Sequence, residues 1–296
     1  MANFQTDQAA GLRRMLGGAG QLQVITFVAG CEGVGRSVAV ANLGVALARL
    51  GKEVLIIDEH ASADDIASSF GMASRYDLLN VVQRELSLAQ VLLQPMNGLS
   101  ILPAAKAAKK IGRLSMPQQQ TLLDAVAHLE RPVDIILVDA SMAHPGGISP
   151  FGLASQEAVV VLSGSSASIT EAYSLIKKVS SVFSRRQFRI LVNKVRSQGD
   201  ARSIYENIAQ VAAHRGIAHL DFAGAIPLDD ALRQSSRLCR SVLLQAPDSI
   251  SAKAFREIAT DLLYWQKSDS EAGGVEHFMQ QLLHLSQRII PKALRA

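Results

Sequence analysis

Seven short stretches of near-continuous apolar residues are spaced along the chain. They are LQVITFVA from Leu22, EVLIIDE from Glu53, LSILPA from Leu99, VDIILVDA from Val133, EAVVVLSG from Glu157, FRILVNKV from Phe188 and LDFAGAIP from Leu220. A strand with one face in water alternates polar and apolar residues; a run apolar throughout its middle is buried on both faces. Between the runs lie segments of helical period: Ser37–Leu50, Gln118–Leu129, Ser168–Phe183, Ala201–His214 and Ser251–Trp265. Strand and helix in turn predict an α/β fold, a doubly wound and mostly parallel sheet with helices on both sides.

With 296 residues, 48% hydrophobic and 19% charged, the chain can bury a large core, and global disorder is excluded. The polar segment 266–274, QKSDSEAGG, divides the chain. The expected organisation is an N-terminal arm over 1–20, a main domain over 21–265, a linker over 266–274 and an amphipathic C-terminal helix over 275–296. No apolar run reaches the ~20 residues of a membrane span, and the first residues lack the apolar centre of a signal peptide. The expected location is therefore the cytoplasm. Cys31 and Cys239 have no metal or redox spacing. The net charge of +4 is spread along the chain, so specific nucleic-acid binding is not expected.

The stretch AGCEGVGRS, Ala29 to Ser37, joins the first strand to the first helix. Its frame is G-x-x-x-x-G-K-[ST], a phosphate-binding loop, with Gly30, Gly33 and Gly35 letting backbone N–H groups curl into an anion nest. Ser37 starts the helix and is placed to reach a magnesium ion. Arg36, however, stands where the lysine belongs, and a planar fork does not replace a compact ammonium. Glu32 sets a negative charge in the loop: ~5 Å from a phosphate, at an effective dielectric near 20, it costs about 3 kcal/mol. Asp58 and Asp139 end strands, where carboxylates serve a metal and its bound water.

The loop resembles that of the MinD/ParA family of deviant phosphate-loop ATPases, whose pattern is K-G-G-x-G-K-[ST]. The resemblance implies ATP and Mg2+ as cofactors. Gly30, Gly33, Val34, Gly35, Arg36 and Ser37 would hold phosphate; Ser37, Asp58 and Asp139 would hold the metal; Asn193 in ILVNKV and Pro227 in IPLDD would lie on the adenine side. It also implies a homodimer. The chain departs from the pattern at Cys31 and Arg36, which replace the two lysines, at Glu32, and at His60, which replaces the second aspartate of D-x-D. Weak binding and poor hydrolysis follow, with Asp58 the one catalytic candidate left.

Two further stretches resemble the flagellar-number regulators of the FlhG branch. DQAAGLR carries Asp7, Gln8, Ala9, Leu12 and Arg13 in the order D-Q-A-x-x-L-R, an arm that in that branch stimulates the GTPase FlhF. SASITEAYSLIKKV, Ser166 to Val179, resembles a helix of the same regulators. The resemblance spans roughly residues 7 to 262. It implies a regulator of flagellar number or placement, acting on an FlhF-type GTPase, a flagellar transcription activator, or both. The alternative is a working ParA/MinD-type ATPase that dimerises with ATP, in DNA partition or pole positioning. In the tail, Val275, Phe278, Met279, Leu282, Leu285, Ile289 and Ile290 form an apolar face, with Arg288, Lys292 and Arg295 near its end. Such a helix fits peripheral membrane contact at the inner face of the cell membrane or the pole, or docking on its own domain.

Overall fold

The computed structural model describes residues 22–60, 65–129, 131–141, 144, 146–265 and 274–293, with side chains of the last helix to residue 287. The proposed arm residues Asp7, Gln8, Ala9, Leu12 and Arg13 lie outside these, as do residues 266–273 of the linker.

The strands are β1 (Gln23–Ala29), β2 (Val54–Asp58), β3 (Leu93–Met96), β4 (Leu99–Pro103), β5 (Ile135–Asp139), β6 (Glu157–Ser163), β7 (Gln187–Val195) and β8 (His219–Pro227). They form one eight-stranded sheet in the order β3-β4-β2-β5-β1-β6-β7-β8. All seven apolar runs are present in it, and their pairings are parallel. The addition is β3, which pairs antiparallel with β4 at the edge. It contains Pro95, which lacks a donor and is tolerated only where a strand has one open side.

The main helices are α1 (Arg36–Arg49), α2 (Met116–Ala127), α3 (Pro150–Ala154), α4 (Ser166–Phe183), α5 (Gln198–His214), α6 (Ile250–Leu262) and α7 (Val275–Ala293). Every residue of β1, β2 and β5 is buried, because helices cover both faces of the sheet. One core unites α1 and α6 with Ile25, Ile56, Leu137 and Leu191. The other, on the opposite face, gathers Val24, Leu55, Ile136 and Val160 with α2, α4, α5 and α7. Successive strand residues point to opposite faces, so each strand feeds both cores.

The tail does not stand apart. Val275, Phe278, Met279, Leu282, Leu283 and Ser286 of α7 are buried against α2, α3 and the turn Ile111–Arg113. Val275, Phe278, Met279 and Leu282 belong to the apolar stripe read from the sequence; Leu283 and Ser286 are buried beside them, and Leu285 is half-buried. Burying one Phe, one Met and two Leu side chains gives about 8 kcal/mol of gross stabilisation. The described part of the face that suits a membrane, Val275 to Leu283, is thus spent on the chain's own domain.

The strand order places the loop after β1 at the point where connections run to opposite sides. β1 leads to β2 on one side, and β5 leads to β6 on the other. A crevice opens at the carboxyl ends of strands at such a switch point, and ligands bind there in open α/β sheets. Asp58 and Asp139, final residues of β2 and β5, are paired in register at that edge.

Candidate nucleotide site

The loop has the backbone a phosphate needs. Gly33 and Gly35 take left-handed φ values of +73° and +87°, which a side chain would strain. Gly35 is the N-cap of α1, and no side chain caps the helix there. Gly30 is needed for another reason: a Cβ on it would lie 2.3 Å from the backbone carbonyl carbon of Glu171 in α4. Glu32 is exposed, so its repulsion toward the loop is screened by water. Cys31 is half-buried, packed beside the α1 core.

Arg36 does not reach over the loop. It is 8% exposed, and its Nε donates to Oδ1 of Asp139 at 2.6 Å. Its Nη2 touches Nε2 of His60. On the other side of the ring, Nδ1 lies 3.1 Å from Asp58 Oδ1 and 3.2 Å from Asp139 Oδ2. Asp139 Oδ2 is fully buried and makes no well-aligned hydrogen bond, so its contact with His60 is chiefly electrostatic. Asp58 in turn accepts from the backbone N–H groups of His60 at 2.9 Å and Ile66 at 2.7 Å. These side chains form an unbroken chain: Arg36, Asp139, His60 and Asp58.

Charge is shared along it. Burial raises the Asp58 carboxyl, with the nearby Asp139 charge adding and the His60 bond opposing. Burial would also raise Asp139, but Arg36, His60 and the Ser37 hydroxyl outweigh it and hold the group low. Burial works against charge on His60, yet Asp139 and Asp58 overcome it and push the ring up to about 9. The Arg36 contact needs a lone pair on Nε2, which puts the ring proton on Nδ1, facing the carboxylates. When Nε2 is protonated as well, two donors oppose each other; Arg36 then keeps Asp139 and gives up His60. In either state the carboxylates are balanced from within the chain.

Glu59, between them in sequence, turns the other way. It is buried at 3% exposure and accepts from Ser149 Oγ at 2.5 Å and from Ser141 N–H at 2.9 Å. Burial pushes it up to about 7, against those two bonds. Ser149 also caps α3, accepting from Gly152 N–H at 3.1 Å. Neither residue stood out in the sequence, although the acidic run IIDEH pointed at the strand end. Lys194 was missed too: its Nζ donates to Gly33 O at 2.6 Å.

Asn193 is beside the loop rather than open to a base. Its Nδ2 donates to Val34 O at 2.7 Å, and its Oδ1 accepts from Lys194 N–H. Pro227 ends β8, paired with Val195 of β7, on the same side of the loop. The sequence-derived residues Gly30, Gly33, Val34, Gly35, Arg36, Ser37, Asp58, Asp139, Asn193 and Pro227 therefore converge on one strand-end region.

The sequence profile of the CobQ/CobB/MinD/ParA nucleotide-binding domain matches residues 25–238. The chain belongs to this family. It is 28% identical to the antiactivator FleN of Pseudomonas aeruginosa over 91% of this chain and 96% of the relative. It is 24% identical to the flagellum site-determining protein YlxH of Helicobacter pylori, over 92% and 90% of the two chains. Among solved structures, the MinD cell division protein of Aquifex aeolicus superimposes with a TM-score of 0.63 at 22% identity. That match covers 84% of this chain and all of the other, and it bears on the fold alone.

Within the MinD/ParA family, ATP and Mg2+ are the implied cofactors, and this site fits them unequally. The glycine loop and uncapped helix start suit a phosphate. The metal position does not suit a divalent ion: Asp139 already holds Arg36, and Asp58 already holds His60. Among the described residues Asp58, His60 and Asp139 are the group whose ligand atoms converge, and a cation of the chain itself lies against them.

Proposed function

We propose that the chain is a MinD-like regulator of flagellar number or placement that works through protein contacts and turns over little or no ATP. The likeness to FleN along nearly the full length of both chains carries the reading, since similarity in the fold alone would serve many functions. The partners proposed are an FlhF-type GTPase, met by the arm residues Asp7, Gln8, Ala9, Leu12 and Arg13, and a flagellar transcription activator. Arg36 drawn onto Asp139 supports the loss of hydrolysis, because position 36 then no longer presents the cation that offsets charge in phosphoryl transfer. Homodimers and a peripheral location at the membrane or pole belong to the same reading. Membrane contact would require α7 to leave its seat. No helix among the described residues is long and apolar enough to cross a membrane.

The test is genetic and direct. Deleting the gene should change flagella per cell or their position; the wild-type chain should restore it and an Arg13→Ala chain should do so poorly. Normal flagellation in the deletion strain would reject the reading.

A further inference from the structure

We propose that Arg36 and His60 are a built-in substitute for the divalent ion, holding the Asp58–Asp139 pair in one arrangement with no metal or nucleotide. This deepens the reading of the site given above and does not depend on the flagellar role.

Asp58 and Asp139 end adjacent parallel strands in register, at 2% and 0% exposure. Neighbouring strands lie ~4.8 Å apart, so two buried carboxylates there repel strongly unless a cation comes between them. A strand-end carboxylate beside a phosphate loop ordinarily meets that need with a metal ion. Here the guanidinium of Arg36 binds one carboxylate at 2.6 Å, and the His60 ring N–H faces both, at 3.1 and 3.2 Å. The substitutions at positions 36 and 60 thus act together: one brings the cation inward, and the other removes a carboxylate and supplies a donor. Asp58, so held, also accepts from the N–H groups of His60 and Ile66. A centre with its own counter-ion has no electrostatic reason to respond to an added one.

The test follows thermal unfolding of the full chain with and without millimolar magnesium or manganese. The wild-type midpoint should not move. Arg36→Ala, which leaves His60 alone between the two carboxylates, should melt lower without metal and gain about 4 °C with it, the response of a chain that binds a ligand only when folded. Arg36→Ala with Asp139→Asn, which removes the excess charge, should lose the metal response. If Arg36→Ala fails to fold under either condition, His60→Asp provides the same reading, because it deletes the ring donor and adds a third carboxylate; it should gain metal dependence. A wild-type chain stabilised by metal as much as the variants, or variants indifferent to it, overturns the proposal. Rapid ATP turnover by the wild type would instead sink the reading of the site as non-hydrolytic.

Discussion

The Ser149 hydroxyl donates to the buried Glu59 carboxylate at 2.5 Å and so fastens the start of α3 to the end of β2. That bond joins the strand-end centre to the short helix on which the C-terminal helix rests. Glu59 titrates at about 7 instead of 4.5, and His60 at about 9 instead of 6.5. For both groups the folded state holds its proton more tightly than the unfolded chain. The stability due to Glu59 is complete below pH 4.5 and is lost as pH rises through about 7; that due to His60 is complete below 6.5 and is lost through about 9. The melting midpoint should therefore fall steadily from mildly acidic to mildly alkaline pH. Glu59→Gln should flatten the lower part of that fall, worth about 3 kcal/mol, and leave the His60 part. A profile identical to wild type would contradict the assignment to Glu59.

Turnover provides the second prediction. Phosphate release by the wild-type chain should be near background. Restoring the family pattern by Cys31→Lys, Glu32→Gly, Arg36→Lys and His60→Asp together should raise it by roughly tenfold or more, since cations at the loop stabilise developing phosphate charge. Arg36→Lys alone should do little, because Asp139 remains to draw the new ammonium inward. Equal rates in the wild-type and fourfold chains would show that these positions do not limit hydrolysis.

Most of the fold was legible in the sequence because burial on both faces leaves no polar alternation to confuse. The seven runs became seven parallel strands, and the five helical segments fall within about three residues of α1, α2, α4, α5 and α6. What escaped was short or long-range. LQPM offers too few residues and a proline, and becomes a strand only because the β4 edge is free. At the site, Gly30, Arg36, Asp58 and Asp139 were readable from the motif spacing. The direction of the Arg36 side chain was not, since it depends on Asp139, 103 residues away. The amphipathic stripe of the tail was also plain, but its partners on α2 and α3 are non-local.

The two loop glycines separate packing from conformation. Gly30→Ala should cost roughly 2 kcal/mol, because its Cβ meets the backbone of Glu171 and Ala172 and α4 must shift. Gly33→Ala meets nothing within 4 Å and should cost roughly 1 kcal/mol, from its positive φ alone. Denaturant unfolding of both variants checks the order. A Gly33 variant less stable than the Gly30 one would mean that α4 yields easily.

The docked tail has its own consequence. Leu282 is fully buried on α7, with Phe278 and Met279 one turn earlier. Leu282→Ala should cost about 3 kcal/mol, the usual range for a core leucine. Removing residues 275–296 should lower the melting midpoint further and expose an apolar face that binds a hydrophobic dye. In the docked arrangement that face is not available to lipid. The full chain should therefore sediment with anionic liposomes no more than the truncated one, until something displaces α7 from α2 and α3. The basic residues Arg288, Lys292 and Arg295 alone are a weak anchor, worth about 1 kcal/mol each near an anionic surface. Strong sedimentation of the untreated full chain, lost on truncation, would show that the helix leaves its seat spontaneously. The cost of exposing Phe278, Met279, Leu282 and Leu283 would then have to be met by lipid contact.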